Sequence, residues 1–378
     1  MEDIKKNFSF SVKHQNKNYR VGLIETHRGV INTPAFMPVG TQATVKGVFI
    51  DDIIKTGSEI ILSNTYHLML RPGEKLISKM GGLQKFMSWD KPILTDSGGF
   101  QIWSLSKIRE VDKSGVTFRS HIDGKEYRLT PKRSINIQRM LNSNITMALD
   151  ECTAHPSTYN DTLESVNLTK NWAKKSIESY KPRPGFGIFA IVQGGMYKDL
   201  RDLSINQLKE YNFDGYALGG LSVGETHNEM KEIINHSVFK LPKHKPRYLM
   251  GVGRPVDILM AVTYGVDMFD CVLPTRFGRN GRAFTTNEGE INLKNSCYSK
   301  DASSLDPELD CFVSKEFSRS YIHHLTKSNE ILSSMILSLH NIAFYQKMMF
   351  DIRESIKSDN FENVKKNYLK IHGKYEKT

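Results

Sequence analysis

Cysteine is scarce in this chain of 378 residues, and the four cysteines that occur stand alone. None belongs to a C-x-x-C pair or to a repeated spacing, which argues against a disulfide scaffold and favours reduced thiols in a cytosol. The four positions are Cys152, Cys271, Cys297 and Cys311.

Long apolar runs are also missing, because no stretch approaches the about 18 residues that a membrane helix needs. Residues 1–6 are charged and lack the apolar segment of a secretory signal. We therefore expect a soluble, cytoplasmic protein with no membrane partner.

Several common catalytic fingerprints do not occur. The chain has no G-x-x-x-x-G-K-[ST] loop, no H-E-x-x-H helix and no G-x-S-x-G turn. Their absence argues against phosphate-binding loops, the commonest metalloproteases and the commonest serine hydrolases. Gly251-Val252-Gly253 begins like a dinucleotide fingerprint but lacks the third glycine, so it is weak evidence.

Basic residues exceed acidic ones, 52 to 41, which gives a formal net charge of +11. A basic surface suits a polyanionic partner such as nucleic acid. A proteome generally rich in Lys and Asn would give the same excess. Charge alone leaves both interpretations open.

Short apolar or β-branched runs recur along the chain and alternate with stretches of helical spacing, such as 164–179 and 228–239. This alternation predicts an α/β fold, with parallel βα units closing into a (β/α)8 TIM barrel. A doubly wound open sheet is the alternative. The eight runs are 35–39, 59–62, 93–95, 145–149, 186–192, 216–218, 247–250 and 266–269.

The flanking segments predict three parts. Residues 1–280 are expected to form the barrel, preceded by an N-terminal β-hairpin lid or small sheet. Residues 281–350 should form a C-terminal subdomain with helices at 315–327 and 329–351, and residues 351–378 a polar tail, also helical. The apolar face of the 329–351 helix could pack on the barrel or serve a second subunit.

Polar residues and glycines follow several of the apolar runs. The carboxyl ends of barrel strands meet at one mouth, so we expect these residues to share a site. A buried Asp at such a position could instead cap the next helix. The residues are Asp96, Asp150, Gln193, Gly219, Gly220, Gly251 and Asp270.

One motif in the sequence resembles the signature of a known enzyme family. Thr95-Asp96-Ser97-Gly98-Gly99-Phe100-Gln101 resembles the signature of the tRNA-guanine transglycosylases, which insert queuosine precursors at the anticodon wobble position. Further matches follow in family order at 149–152, 191–195, 218–225, 250–253 and 267–276. The resemblance implies exchange of guanine for preQ1 in tRNAs for Asp, Asn, His and Tyr, which carry GUN anticodons.

The resemblance also implies the chemistry. Cleavage of an N-glycosidic bond builds positive charge at ribose C1′, which a carboxylate can capture. Asp270 matches the nucleophile that forms a covalent aspartyl–tRNA intermediate, and Asp96 matches the general acid/base. The alternative for Asp270 is a buried ion pair with Arg276 or Arg279.

A base pocket is implied at the same place. Asp150 would accept the N1–H and amine of guanine, while Gln193 and the Gly220 N–H would donate to O6. Phe100 and Met250 would sandwich the ring, although ordinary packing at the barrel mouth explains them equally well. The full set expected to bind the base is Asp96, Ser97, Gly98, Gly99, Phe100, Asp150, Gln193, Gly219, Gly220, Leu221, Val223 and Met250.

Two further features bear on specificity. The resemblance implies that Val223 selects preQ1 over the bulkier queuine, and that the Leu221 carbonyl faces the 7-substituent. Arginines beyond the nucleophile suit contacts to phosphates and to a flipped-out anticodon base. The expected RNA-binding residues are Gly251, Val252, Gly253, Arg254, Pro255, Val256, Asp257, Thr275, Arg276, Phe277, Gly278 and Arg279.

The chain departs from the family at one place. Most relatives bind a structural zinc through C-x-C-x-x-C and a later histidine, but the three cysteine places here fall on Leu309, Cys311 and Ser314. Only Cys311 and His340 remain, too few for a closed tetrahedral site. We expect no metal and no cofactor.

Rival functions remain to be separated. A non-catalytic tRNA-binding subunit of such an enzyme is the main alternative. A base-exchange enzyme acting on DNA or on another tRNA position, and a barrel glycosidase, are the others. The family pattern also favours a homodimer.

Overall fold

The computed structural model describes residues 8–105 and 108–373. The expectations for residues 1–6 and for residues 374–378 of the tail lie outside the described residues. The strands are β1 (Ser9–Asn16), β2 (Tyr19–Thr26), β3 (Gly29–Thr33), β4 (Ala35–Pro38), β5 (Ile61–Ser63), β6 (Ile93–Thr95), β7 (Arg109–Asp112), β8 (Gly115–Arg119), β9 (Glu126–Leu129), β10 (Ile145–Met147), β11 (Gly187–Val192), β12 (Gly215–Leu218), β13 (Arg247–Leu249), β14 (Met268–Cys271), β15 (Arg282–Thr285) and β16 (Gly289–Asn292).

The helices alternate with these strands through most of the chain. They are α1 (Ile50–Lys55), α2 (Thr65–Leu70), α3 (Glu74–Lys79), α4 (Leu83–Met87), α5 (Gly99–Leu105), α6 (Pro131–Met140), α7 (Tyr159–Ser179), α8 (Lys198–Lys209), α9 (His227–Val238), α10 (Pro255–Thr263), α11 (Leu273–Arg279), α12 (Phe312–Glu316), α13 (Arg319–Lys327), α14 (Ile331–Lys357) and α15 (Phe361–His372).

Eight strands form one parallel sheet in the order β4-β14-β13-β12-β11-β10-β6-β5. Its two ends are joined by a parallel bridge between Val39 and Leu62, which closes the sheet into a barrel. Each of the eight strands lies at one of the apolar runs of the sequence. The predicted (β/α)8 barrel is therefore confirmed over the doubly wound alternative.

Side-chain alternation along each strand divides the core into two layers. In β11, Phe189 and Ile191 belong to the apolar cluster inside the barrel. Ile188, Ala190 and Val192 belong to the cluster between the barrel and its helices. The rigid barrel fixes where each strand ends, and so where the side chains at its carboxyl end lie.

The N-terminal segment forms a three-stranded antiparallel sheet, β1-β2-β3, rather than a simple hairpin. It covers the amino ends of the barrel strands, because Ile24 and Ile31 enter the interior cluster. Arg20 and Asp267 form a bidentate ion pair at that end, with N···O distances of 2.9 and 2.5 Å. The expected lid therefore closes the barrel opposite the cluster of polar strand ends.

The C-terminal helices share the core of the barrel. In α14, Tyr345 packs against Phe36 of β4 at a ring distance of 4.6 Å, and Gln346 donates to the Phe36 carbonyl. The domain boundary expected at 350/351 falls inside this helix. None of the described helices is both long enough and apolar enough to cross a membrane.

The expected helix at 315–327 is interrupted by an extended residue, Phe317. Ser318 then caps α13 by accepting a hydrogen bond from the N–H of Tyr321. Two short helices therefore replace one.

Candidate active site at the carboxyl end of the barrel

A cavity of about 1150 Å³ opens where the carboxyl ends of the barrel strands meet. All the residues expected to bind the base line it, except Gly99. Asp96 follows β6, Gln193 follows β11, and Asp270 lies near the end of β14. Residues separated by up to 174 positions therefore face one space, as the barrel geometry requires.

Asp96 is buried in the cavity wall, and its carboxylate accepts hydrogen bonds from the residues at the start of α2. Asn64 Nδ2 donates to its Oδ2 at 2.5 Å, and the Thr65 N–H donates to its Oδ1 at 2.7 Å. Burial, together with the nearby Asp270 carboxylate, raises the pKa of Asp96 to about 6, against the lowering effect of these hydrogen bonds. A carboxyl poised near neutrality suits proton transfer.

Asp270 accepts two hydrogen bonds on the same oxygen. Tyr248 Oη donates to Oδ1 at 2.5 Å, and the Gly251 N–H donates to it at 2.8 Å. Burial raises the pKa of Asp270, while these two donors lower it. Burial and the Asp270 charge hold the Tyr248 pKa well above its usual value, so the phenol remains a donor.

Asp150 and Gln193 form the polar floor of the cavity. Gln193 Nε2 donates to Asp150 Oδ2 at 2.7 Å, and Ser97 Oγ donates to Oδ1 at 3.0 Å. Burial raises the pKa of Asp150 to about 6, opposed by these two donors. Gln193 Oε1 is buried without a hydrogen-bond partner in the described structure. Buried polar atoms are normally paired, so this orphan is typical of a ligand site.

Gly99 does not line the cavity but is needed beneath it. A Cβ at this position would lie 2.7 Å from the Asp150 carbonyl oxygen. Only glycine at this position allows the first turn of α5 to approach Asp150 so closely.

A loop after β12 forms another wall. The N–H groups of Ser222 and Val223 both donate to the Glu225 carboxylate. In a trans peptide the carbonyl and the N–H point in opposite directions. The Leu221 carbonyl is therefore turned away from Glu225, while Val223 lies half-buried on the cavity wall.

The expected RNA-binding residues divide into two groups. All of 251–257 line the cavity, as does the exposed Arg276, and Arg279 is also exposed. Thr275, Phe277 and Gly278 are buried instead. Phe277 stacks on Phe284 at 5.3 Å. These three residues fix α11 in place, and its arginines project outward.

Phe100 and Met250 both line the cavity mouth. Phe100 is 43% exposed and lies 5.6 Å from the Trp103 ring. Its exposed face is available to a flat ligand.

The position at which the sequence resemblance would place a zinc has a different chemistry here. His340 is buried, and both its ring nitrogens are engaged, with Ser314 Oγ at 2.8 Å and the Phe284 carbonyl at 2.7 Å. Leu309 is 2% exposed and packs in the apolar core. Within 8–105 and 108–373, no three His, Cys, Asp or Glu side chains are grouped so as to hold a metal ion. The residues present do not fit zinc.

Three residues at the site were not identified from the sequence. Asn64 follows β5 directly, and the rule that polar residues after strands mark the site would have found it. Tyr248 lies inside an apolar strand, so no local pattern separates it from a core tyrosine. Arg201 lies in α8, where it resembles any helical arginine, although it is completely buried.

Comparison with known proteins identifies close relatives. The family model described as TGT: Queuine tRNA-ribosyltransferase matches residues 15–374. The chain is 50% identical to the Queuine tRNA-ribosyltransferase of Rickettsia typhi over 350 residues, 93% of this chain and 97% of the relative. The protein of the same name in Rickettsia bellii is 51% identical over 349 residues, 92% of this chain and 96% of the relative.

Proposed function

This chain belongs to the queuine tRNA-ribosyltransferase family of glycosyltransferases, and we propose that it exchanges guanine at the tRNA wobble position for preQ1. The observation that carries the proposal is the convergence of Asp96 and Asp270 on one cavity beside Asp150 and Gln193. A glycosidase would use paired carboxylates but has no need of hydrogen-bonding groups arranged for a purine.

The reaction proceeds through two displacements at ribose C1′. An Asp270 carboxylate oxygen bonds to C1′ while the C1′–N9 bond breaks, and the electron pair passes to the departing guanine. Asp96 then accepts the N9 proton of the incoming base. N9 attacks C1′, and the ester bond breaks to restore the Asp270 carboxylate. Two inversions retain the configuration.

Base recognition uses the polar floor of the cavity. The ionised Asp150 accepts the N1–H and the exocyclic amine, while the second Gln193 N–H and the Gly220 N–H donate to O6. Phe100 and Met250 cover the two ring faces. The Leu221 carbonyl accepts from the aminomethyl group of preQ1, and Val223 limits the space beyond it.

The RNA substrates are tRNAs for Asp, Asn, His and Tyr with GUN anticodons. The wobble nucleotide must leave the stack, because the buried carboxylates lie below the rim of the cavity. Arg276 and Arg279 contact the neighbouring bases and phosphates, and the loop at 251–257 contacts the flipped nucleotide. A tRNA substrate also supports the cytoplasm as the compartment.

Oligomeric state and metal content complete the proposal. We expect a homodimer, supported by apolar side chains left exposed where α1 packs against α14: Phe49 is 69% exposed and Ile331 77%. The subdomain is metal-free and is stabilised by the His340 hydrogen bonds and by the packing of Leu309.

The test is base incorporation into unmodified tRNA. The protein is incubated with tRNA for Asp, Asn, His or Tyr and with labelled guanine or preQ1, and label is measured in the RNA. A wild-type protein that binds tRNA but incorporates neither base would instead be a non-catalytic subunit. The Asp270→Ala variant should lose incorporation and also lose the tRNA–protein adduct on a denaturing gel.

Asp214→Asn is the matched control, because Asp214 is a half-buried carboxylate at the opposite end of the barrel that accepts from the Ile188 N–H. It should retain both incorporation and adduct. Base exchange by Asp270→Ala would show that the nucleophile is wrongly assigned.

A further inference from the structure

Arg201, in the first turn of α8, has no exposed surface. Its guanidinium donates to main-chain carbonyls, and within residues 8–105 and 108–373 no carboxylate lies at ion-pair distance from it. The acceptors are the carbonyl oxygens of Gly195 (2.9 Å), Val192 (3.0 Å), Gly219 (2.8 Å) and Gly220 (3.4 Å). A buried charge is costly, so its place behind the base pocket calls for an explanation.

The four acceptors lie at the last residue of β11 and in the two loops that follow β11 and β12 and form the pocket. Gly195 follows Gln193 after β11, and Gly219-Gly220 follows β12. The carbonyl and N–H of a trans peptide point in opposite directions. The Gly219 carbonyl points to the buried Arg201, so the N–H of Gly220 points away from it. Both glycines line the cavity.

We propose that Arg201 is a positioning residue that acts through the Gly219–Gly220 peptide to stabilise negative charge on O6 of the purine. The inference rests on the proposed function. The hydrogen bond from Nη1–H to the Gly219 carbonyl polarises that peptide and makes the Gly220 N–H a stronger donor. Arg201 never touches the base.

The charge that needs this donor arises in the reaction itself. When the C1′–N9 bond breaks, the electron pair enters the purine and is shared with O6, and the same charge exists when the incoming base loses its N9 proton. Donors aimed at developing charge in a water-poor site stabilise the transition state more than the ground state. Burial lowers the Arg201 pKa to about 10, so the guanidinium is still charged at neutral pH.

The experiment compares guanine with 6-thioguanine, which keeps N1–H and the amine but replaces O6 by a weak acceptor. Saturating rates of incorporation of isotopically labelled guanine and of 6-thioguanine into unmodified tRNA are measured for wild type, Arg201→Lys and Arg201→Met by nucleoside mass spectrometry. We expect wild type to favour guanine by about tenfold or more. Loss of one direct donor of this kind costs about 100–1000-fold in kcat, so loss of an indirect one should cost about tenfold.

The two variants should differ in a defined order. Arg201→Met should lose about tenfold in kcat with guanine and little with 6-thioguanine, so the preference falls. Arg201→Lys keeps the charge and should retain an intermediate preference. A merely structural clamp would lower both rates equally.

Arg247→Met is the matched control, since Arg247 is also buried and donates to the Gly265 and Leu241 carbonyls at the amino end of β13. It should lose thermal stability but keep the wild-type preference for guanine. Folded Arg201 variants with an unchanged preference would overturn the inference.

If the variants do not fold, the inference is tested with the wild-type enzyme alone. Equal kcat for guanine and 6-thioguanine would show that O6 carries no charge worth stabilising, and the inference would fail. No incorporation of any base by wild type would instead reject the proposed function.

Discussion

Tyr248 donates a hydrogen bond of 2.5 Å to Asp270 from the neighbouring strand of the barrel. The bond favours the ionised carboxylate, while burial opposes ionisation. Asp270 must be ionised to attack C1′, so Tyr248 sets the pH range in which the proposed nucleophile works.

Tyr248→Phe should therefore lower kcat about tenfold and move the acid limb of the pH profile to higher pH. In the wild type this hydrogen bond lowers the Asp270 pKa. Its removal therefore raises that pKa and leaves more of the carboxyl protonated at a given pH. The measurement is the pH dependence of both kcat and kcat/KM for guanine exchange between pH 5 and pH 8. Tyr216→Phe, another buried strand tyrosine, should leave the acid limb in place. An unshifted limb in Tyr248→Phe would contradict this role.

The barrel was predictable because it depends on strand period and spacing, which are local. Asp96, Asp150 and Asp270 were predictable from their positions at or just after the carboxyl ends of apolar runs, together with the family motifs. Tyr248 and Arg201 were not, because a buried strand tyrosine and a helical arginine look alike in sequence whether they face a site or the core. Only the closed barrel shows that Arg201 reaches the loops after β11 and β12.

The buried carboxyl of Asp150 should lower the free energy of unfolding of the protein at neutral pH. Its pKa of about 6 in the folded state exceeds the unfolded value of about 3.9. The folded protein therefore binds more protons between these values, and the free energy of unfolding decreases as pH rises through them.

Asp150→Asn removes this cost. The variant should be more stable than wild type by up to about 3 kcal/mol at pH 7.5 in urea unfolding, and the difference should vanish below about pH 4. Guanine exchange should be lost, because the amide cannot accept both donors of the base. A variant less stable than wild type at pH 7.5 would show that its hydrogen bonds outweigh its desolvation.

We expect that a zinc site can be restored around the hydrogen-bonded His340. The double variant Leu309→Cys with Ser314→Cys combines with Cys311 and His340 to give the four ligands of a tetrahedral site. It should bind one zinc per chain by elemental analysis, whereas wild type should bind none. The single variant Leu309→Cys, with three ligands, is the control and should bind zinc weakly. Stoichiometric zinc in purified wild type would contradict the proposed metal-free subdomain.

The exposed start of α14 should decide the oligomeric state. Ile331→Asp places a charge on a side chain that is 77% exposed in the single chain, and should shift the protein from dimer to monomer in analytical ultracentrifugation. Phe350→Asp is the matched control, since Phe350 is 55% exposed near the other end of the same helix. If wild type is already a monomer, or if both variants remain dimers, this face is not the interface.

Val223 should control the size of the base that the enzyme accepts. Its half-buried side chain lies on the cavity wall. Val223 belongs to the loop in which the Glu225 carboxylate accepts hydrogen bonds from the N–H groups of Ser222 and Val223. Val223→Ala and Val223→Gly remove increasing volume, so queuine incorporation should rise in that order while preQ1 incorporation changes less than about tenfold. Glycine would also loosen the loop, and Ser222→Gly separates that effect. Ser222 is exposed with φ of 60°, so glycine there adds flexibility and, although Ser222 also lines the cavity, leaves the Val223 side chain in place. Queuine accepted equally by Ser222→Gly and Val223→Gly would mean that loop mobility, not the valine side chain, sets the limit.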